Sequence, residues 1–261
     1  MVITGGSSGI GRALALHYAR EEGAGVRLVL LGRDGARLDA VAAECRQAGA
    51  SVETLQVDVA DRLAMREALL AVDARHPVDL LVANAGISTG LRKGALVEDP
   101  EAVRAVIEVD LVGVFNTVEP LIEPMCARGR GRIAMTGSIA GVRDLPHSPS
   151  YCAAKAAVHI YAQSLAPALR RRGVGVSLIV PGFVKTPMLE RLKAVKPMAV
   201  SDKKAAAIIA RGLERGAPTI AFPRLLYWIA RLSRLLPPWA EDAILARITA
   251  DIPGTYKRAA P

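Results

Sequence analysis

A phenol and an ammonium stand four residues apart in YCAAK, Tyr151 to Lys155. On a helix that spacing brings both side chains onto one face. A free phenol, with a pKa of about 10, is a good acid toward an alkoxide and a poor base near neutrality. A neighbouring ammonium stabilises the phenolate and lowers that pKa. Tyr151 is thus a candidate acid/base for interconverting a carbonyl and an alcohol, with Lys155 as its tuner. Ser138 ends the apolar run GRIAMTGS, thirteen positions before Tyr151. A Tyr-x-x-x-Lys alone is common, and the chemistry also requires a hydride donor.

A place for that donor opens the chain. TGGSSGIG, Thr4 to Gly11, follows the short apolar run Met1-Val2-Ile3 and precedes a helical pattern with Leu14, Leu16, Tyr18 and Ala19 on it. The order is strand, tight glycine turn, helix. Glycine lets the backbone bend sharply and approach a ligand closely. The helix start offers unpaired N–H groups and a positive dipole end, which suits a pyrophosphate. The turn reads as a dinucleotide site at the head of a Rossmann-like sheet, against an ordinary Gly/Ser-rich loop.

The rest of the chain supplies elements to hold these groups. VRLVLLGR (26–33), VDLLVANAG (78–86), GRIAMTGS (131–138) and VGVSLIVPG (174–182) each carry an apolar run. Helical patterns of 12 or more residues separate them, the alternation of a doubly wound parallel sheet. Pro100 suits the first turn of a long helix to about residue 127, expected to bend or break near its end at Pro120 and Pro124. A helix over about 202–215 precedes a last strand, TIAF (219–222). The expected architecture is α/β: one Rossmann-like catalytic domain over 1–222, then a helical C-terminal extension over 223–261.

With these motifs in this order, the chain resembles the short-chain dehydrogenase/reductase family over about residues 1–222. The glycine spacing matches T-G-x-x-x-G-x-G, and Ser138 with Tyr151 and Lys155 matches the family's Ser and Tyr-x-x-x-Lys. The resemblance implies that Ser138 orients the substrate oxygen and that Lys155 also holds the nicotinamide ribose. It implies cofactor contacts at Gly5, Ser7, Ser8, Gly9 and Ile10, at Asp58 and Val59 beside the adenine, and at Asn84, Ala85 and Gly86. PGFVKT then contributes Pro181 and Gly182 as a wall beside the nicotinamide, with Val184 and Thr186 on its carboxamide. Where the family has Asn in an N-x-x-G segment of the long helix, this chain has Asp110 in DLVG. Aspartate keeps the backbone carbonyl that supports a proton-relay water in the family, and adds a charge that would oppose a lowered tyrosine pKa.

The end of the second strand bears on cofactor choice. NAD-binding folds place an acidic residue there. Here Gly32 and Arg33 stand instead. A guanidinium fork suits a 2′-phosphate, so NADP(H) is favoured over NAD(H), unless Arg33 is only a solvated turn residue. Residues 187–200 carry Met188, Leu189, Leu192, Val195 and Met198. They read as an apolar lid favouring a hydrophobic or lipid-like carbonyl, or as a helix packed on the domain. His17, His147 and His159 read as helix or loop residues rather than catalytic ones.

Charge and composition narrow the partners. Of the net +9, residues 1–169 contribute −2 (17 Lys/Arg against 19 Asp/Glu) and residues 170–261 contribute +11 (17 against 6). No zinc-finger spacing or RNA-binding aromatic motif accompanies the basic third, which argues against nucleic acid. Cys45, Cys126 and Cys152 are odd in number and lack metal-ligand spacing, which fits a reduced, cytoplasmic compartment and no metal. MVITGG has no charged segment leading into an apolar one, so it is not a signal peptide. In the tail, Leu225, Trp228, Ile229, Leu232, Leu235 and Leu236 recur at helical spacing among Arg224, Arg231 and Arg234, and Ile244, Leu245 and Ile248 follow. Residues 224–248 read as a peripheral membrane contact, or as a surface packed on the domain, the pocket or a neighbouring subunit. Relatives pair their long helices, so a homodimer or homotetramer is expected. The expected activity is an NADP(H)-dependent carbonyl/alcohol oxidoreductase; a non-catalytic dinucleotide sensor or scaffold on the same fold is the alternative.

Overall fold

The computed structural model describes residues 1–92, 94–194, 196–237 and 250–251. The elements in order are β1 (Val2–Thr4), α1 (Gly9–Glu22), β2 (Arg27–Gly32), α2 (Gly35–Gln47), β3 (Ser51–Gln56), α3 (Arg62–Arg75), β4 (Leu80–Ala83) and α4 (Pro100–Ile107). There follow α5 (Gly113–Arg128), β5 (Gly131–Thr136), α6 (Pro149–Arg170), β6 (Val174–Pro181), β7 (Val184–Lys185), α7 (Pro187–Glu190), β8 (Lys193–Ala194) and β9 (Val200–Ser201). Last come α8 (Asp202–Glu214), β10 (Thr219–Phe222), α9 (Arg224–Ser233) and β11 (Ala250–Asp251).

The main sheet has seven strands in the order β10-β6-β5-β4-β1-β2-β3. Every neighbouring pair is parallel, with Val2 opposite both Val29 and Leu81. Order reverses between β1 and β4, and at such a switch point loops part to either side and leave a crevice at the strands' carboxyl ends. The alternation along each strand divides the core. Leu28 and Leu30 join Leu14, Leu38 and Ile209 on the α1, α2 and α8 side. Val29 and Leu31 join Met65, Leu121 and Val158 on the α3, α5 and α6 side. Successive strand side chains point to opposite faces, so strands covered on both sides must be apolar throughout.

Two local differences from the sequence expectation matter. The long helix does not break at its prolines: α5 runs through Pro120 and Pro124 to Arg128. Its irregularity comes earlier, as a π turn over Glu108–Val112 that contains Asp110. There Gly113 packs so closely on the next loop that a Cβ would lie 2.7 Å from Val59 Cγ2. Asp58 stands in the loop two residues after Gln56, the last residue of β3.

Candidate active site

Helix α6 delivers Tyr151 and Lys155 one turn apart to the carboxyl end of β5. Lys155 Nζ lies 5.7 Å from the Tyr151 ring centroid. It donates to the Thr136 carbonyl at 3.1 Å and meets Asp110 Oδ2 at 2.9 Å. Ser138 begins the 3₁₀ turn Ile139–Gly141, and its Oγ accepts the Ala140 N–H at 3.1 Å. The same hydroxyl is close enough to the Tyr151 phenol to favour its ionised form. Asp110, fully buried, accepts the Ile87 N–H through Oδ1 at 2.7 Å. The carboxylate itself therefore meets Lys155, a contact that the backbone-carbonyl role expected from the resemblance does not describe.

Burial raises the Tyr151 phenol; Lys155 pulls it down and Asp110 pushes it up again. The net direction is upward, so the expected lowering by Lys155 is present but outweighed by desolvation of the phenolate. Lys155 itself is raised: burial disfavours its charge, but Asp110 and Tyr151 together prevail. Burial raises Asp110, against the opposing pull of Lys155. Cys152 is buried and takes the Leu145 N–H on its sulfur at 3.3 Å, and burial raises its thiol. That is a packing cysteine rather than an activated thiolate.

The glycine turn abuts this cluster through the Asn84-Ala85-Gly86 turn. Thr4 Oγ1 accepts the N–H groups of Asn84 and Ala85 at 3.0 and 3.1 Å, and Asn84 Nδ2 donates to the Thr4 carbonyl at 3.1 Å. Gly5 has φ +66, and a Cβ there would lie 2.9 Å from Ala85 Cα; one on Gly11 would lie 2.7 Å from Asn84 Nδ2. Gly86 continues the line, with its absent Cβ 3.0 Å from Asp110 Oδ2 and 3.4 Å from Lys155 Nζ. Helix α1 starts after Ser8 without a side-chain cap from it, so the first-turn N–H groups keep their capacity to donate. This backbone-lined concavity, with Ile10 in the first turn of α1, fits a dinucleotide pyrophosphate.

At the sheet's other flank Arg33 and Asp58 face each other, with 3.9 Å between Nη1 and Oδ2. Ser7 Oγ lies 3.5 Å from where a Gly32 Cβ would be, so Ser7, Arg33 and Asp58 form one half-exposed group past β2 and β3. Val59 is buried, and its carbonyl accepts from Asn116 at 2.9 Å. Pro181 ends β6, and Gly182 donates to the Phe222 carbonyl at 2.7 Å. Val184 is buried in β7, which pairs with β9. Thr186 caps α7 at Leu189 N–H, and its Cγ2 would stand 3.3 Å from a Cβ on Gly9. Glycine turn and PGFVKT segment thus close on each other. Met188 and Met198 of the expected lid are exposed; Val195 lies outside the described residues.

The chain matches the short chain dehydrogenase model over residues 1–196. It belongs to the short-chain dehydrogenase/reductase family. The chain is 35% identical over 248 residues to an uncharacterized oxidoreductase of Myxococcus xanthus, covering 95% of this chain and 96% of that one. It is 37% identical over 207 residues to human 17-beta-hydroxysteroid dehydrogenase type 1, covering 78% of this chain and 62% of that one. Among solved structures it resembles a short-chain dehydrogenase from Sphingobium yanoikuyae in complex with NADPH, with TM-score 0.78, 25% identity and 95% of each chain covered. Relatives of this kind are oxidoreductases that act on CH–OH and C=O groups, and the fold binds a nicotinamide dinucleotide.

His159, expected as a helix or loop residue, lies on α6, and its contact with Ser138 was not foreseen. It is buried, and its Nε2 accepts the Ser138 N–H at 3.3 Å. The signal was available, because His159 continues the Tyr151, Lys155 spacing by one more turn on the same face. Asn116 at Val59 was missed too, and no local spacing announces it.

Proposed function

We propose that this protein is an NADP(H)-dependent reductase of hydrophobic ketones or aldehydes, running in reverse on the matching alcohols. The observation that carries the reading is the convergence of Tyr151, Ser138 and Lys155, joined through Gly86 and Asn84-Ala85 to the glycine turn. Bound there, the nicotinamide supplies or accepts the hydride. Tyr151 gives its proton to the oxygen as negative charge develops on it, and a phenol kept protonated is suited to that role. Ser138 orients the same oxygen. Lys155 holds charge beside the phenolate that proton transfer leaves, and Asp110 keeps Lys155 in place. Arg33, with Ser7 beside it, supports a 2′-phosphate and hence NADP(H), and Asp58 supports the adenine. The lid residues Met188, Leu189, Leu192 and Met198 support an apolar substrate, as does the name of the human relative.

The test is reduction of a carbonyl panel (2-decanone, a tetralone, a 3-ketosteroid, a β-ketoacyl thioester) with NADPH and with NADH. Tyr151→Phe should fold, bind cofactor and lose about two to four orders of magnitude in rate. Turnover like that of the wild type in this variant would end the assignment.

A second observation supports peripheral contact with an anionic bilayer. Helix α9 turns Leu226 toward Gly182 and Ile139 and buries Ala230. Its other face exposes Leu225, Trp228, Ile229 and Leu232. Arg224, Arg231 and Arg234 flank that face, and Arg231 lies over the Trp228 ring. Apolar residues and Trp with an arginine rim fit an interface helix. No helix among the described residues is long and apolar enough to cross a membrane. Ile244, Leu245 and Ile248 of the expected stripe lie outside the described residues. We place the protein in the cytoplasm at the membrane surface, where its free thiols stay reduced. Co-sedimentation with anionic but not neutral liposomes, lost in Trp228→Glu/Ile229→Glu, is the expected result. No lipid-dependent pelleting would rule this contact out.

A further inference from the structure

The reading of Ser138 as the group that orients the carbonyl raises a question of position. Ser138 stands just past the last strand residue, Thr136, where the sheet no longer holds the chain. Gly137 still donates to the Ile179 carbonyl at 2.8 Å. Beyond it, the Ser138 N–H meets His159 Nε2 at 3.3 Å. The imidazole sits directly against Gly137, in the space that a Cβ would occupy. Ser138 is thus held from two sides. Its hydroxyl accepts the Ala140 N–H, and its backbone N–H is held by a residue two helical turns after Tyr151.

We propose that His159 is a positioning residue: its neutral imidazole, accepting the Ser138 N–H through Nε2, fixes the peptide that aims the Ser138 hydroxyl at the substrate oxygen. The inference rests on the role given to Ser138 above. Only a neutral ring with its proton on Nδ1 can accept at Nε2. Burial, then the Lys155 ammonium, push His159 down to about 4, against the favourable bond to Ser138. The ring is therefore an acceptor throughout the neutral range. Helix α6 then carries three functional side chains on one face: Tyr151 for the proton, Lys155 for the charge, His159 for the seat of the serine. Because all three share a rigid helix, Ser138 and Tyr151 are positioned against one common frame.

The test is a double-mutant cycle on the fastest ketone of the panel, with NADPH. His159→Leu removes the acceptor and should lower kcat about tenfold, the scale of one lost buried hydrogen bond, with cofactor affinity unchanged. His159→Gln, which can still present an acceptor oxygen at similar reach, should recover most of the loss. In a Ser138→Ala background His159→Leu should cost little more, because two residues acting as one unit are not additive. Nitrogen NMR of the imidazoles should show His159 as the Nδ1–H tautomer in the intact protein. If Ser138→Ala slows reduction but His159→Leu leaves kcat intact, adds independently, or is not rescued by Gln, the inference is wrong and the site reading stands. If Ser138→Ala itself has no effect, the site reading fails and takes this inference with it.

Discussion

Replacing Asp110 by Asn removes one charge from a buried pair and keeps its shape. Asp110 Oδ2 is 2.9 Å from Lys155 Nζ, which is 5.7 Å from the Tyr151 ring centroid, so the carboxylate oxygen lies at most 8.6 Å from that centroid, the sum of the two legs. A carboxylate and a phenolate at that distance repel by about 2 kcal/mol at an effective dielectric of about 20. Asp110 contributes to the raised Tyr151 phenol after burial and against Lys155. Neutralising it should therefore increase the phenolate fraction at a given pH by roughly thirtyfold. Lys155 keeps the Thr136 carbonyl at 3.1 Å, and an Asn oxygen can still accept the Ile87 N–H. The assay is kcat/KM for alcohol oxidation from neutral to alkaline pH. The limb that reports the phenol should move toward acid in Asp110→Asn. The same variant should lose about 3 kcal/mol of stability in urea, the low end for breaking a buried ion pair, because Lys155 loses its counter-ion. A pH profile that stays in place, or moves toward alkali, would refute the electrostatic role given to Asp110.

Arg33→Ala should weaken NADPH by about 1.5–3 kcal/mol and leave NADH nearly unchanged, as a charge-assisted contact to phosphate requires; equal losses in titrations with the two cofactors would remove Arg33 from the 2′-phosphate. His159 sets an acid limit on stability. Its native value of about 4 lies below the ordinary 6.5, so at pH 7 the ring is neutral in both states and contributes nothing to pH dependence. Between about 6.5 and about 4 the unfolded chain takes the proton first, and stability falls with pH by up to about 3 kcal/mol. Urea midpoints over that window should fall more steeply in the wild type than in His159→Leu, and parallel curves would contradict the assignment. Light scattering at micromolar concentration should give a dimer or tetramer, and a monomer would contradict the expected pairing of long helices.

What could be read without coordinates was whatever depends on short separations along the chain. Thr4 to Gly11 is a single turn between a strand and a helix, so its glycine spacing reports the backbone path directly. Tyr151 and Lys155 are one helical turn apart, and an i, i+4 pair shares a face wherever the helix is placed. Apolar runs of strand length between helical patterns announce a parallel sheet, because a strand covered on both faces has no polar side to show.

Tertiary packing decided the remainder, through groups far apart in sequence. Asp110 meets Lys155 because a π turn directs its carboxylate inward beside Gly86, and the prolines that drew attention to the helix end lie elsewhere. The direction of the Tyr151 shift follows from burial, which no pattern of neighbours in the chain reveals. Arg33 and Asp58 face each other only because β2 and β3 lie side by side. The tail showed an apolar stripe by its spacing alone, but whether that stripe was covered required the surface: Leu226 turns in and Trp228 and Ile229 turn out. His159 joins both kinds of knowledge. Its place on the catalytic face of α6 is a matter of counting residues, while its partner, the N–H of Ser138 twenty-one positions earlier, is set by how α6 docks against the end of β5.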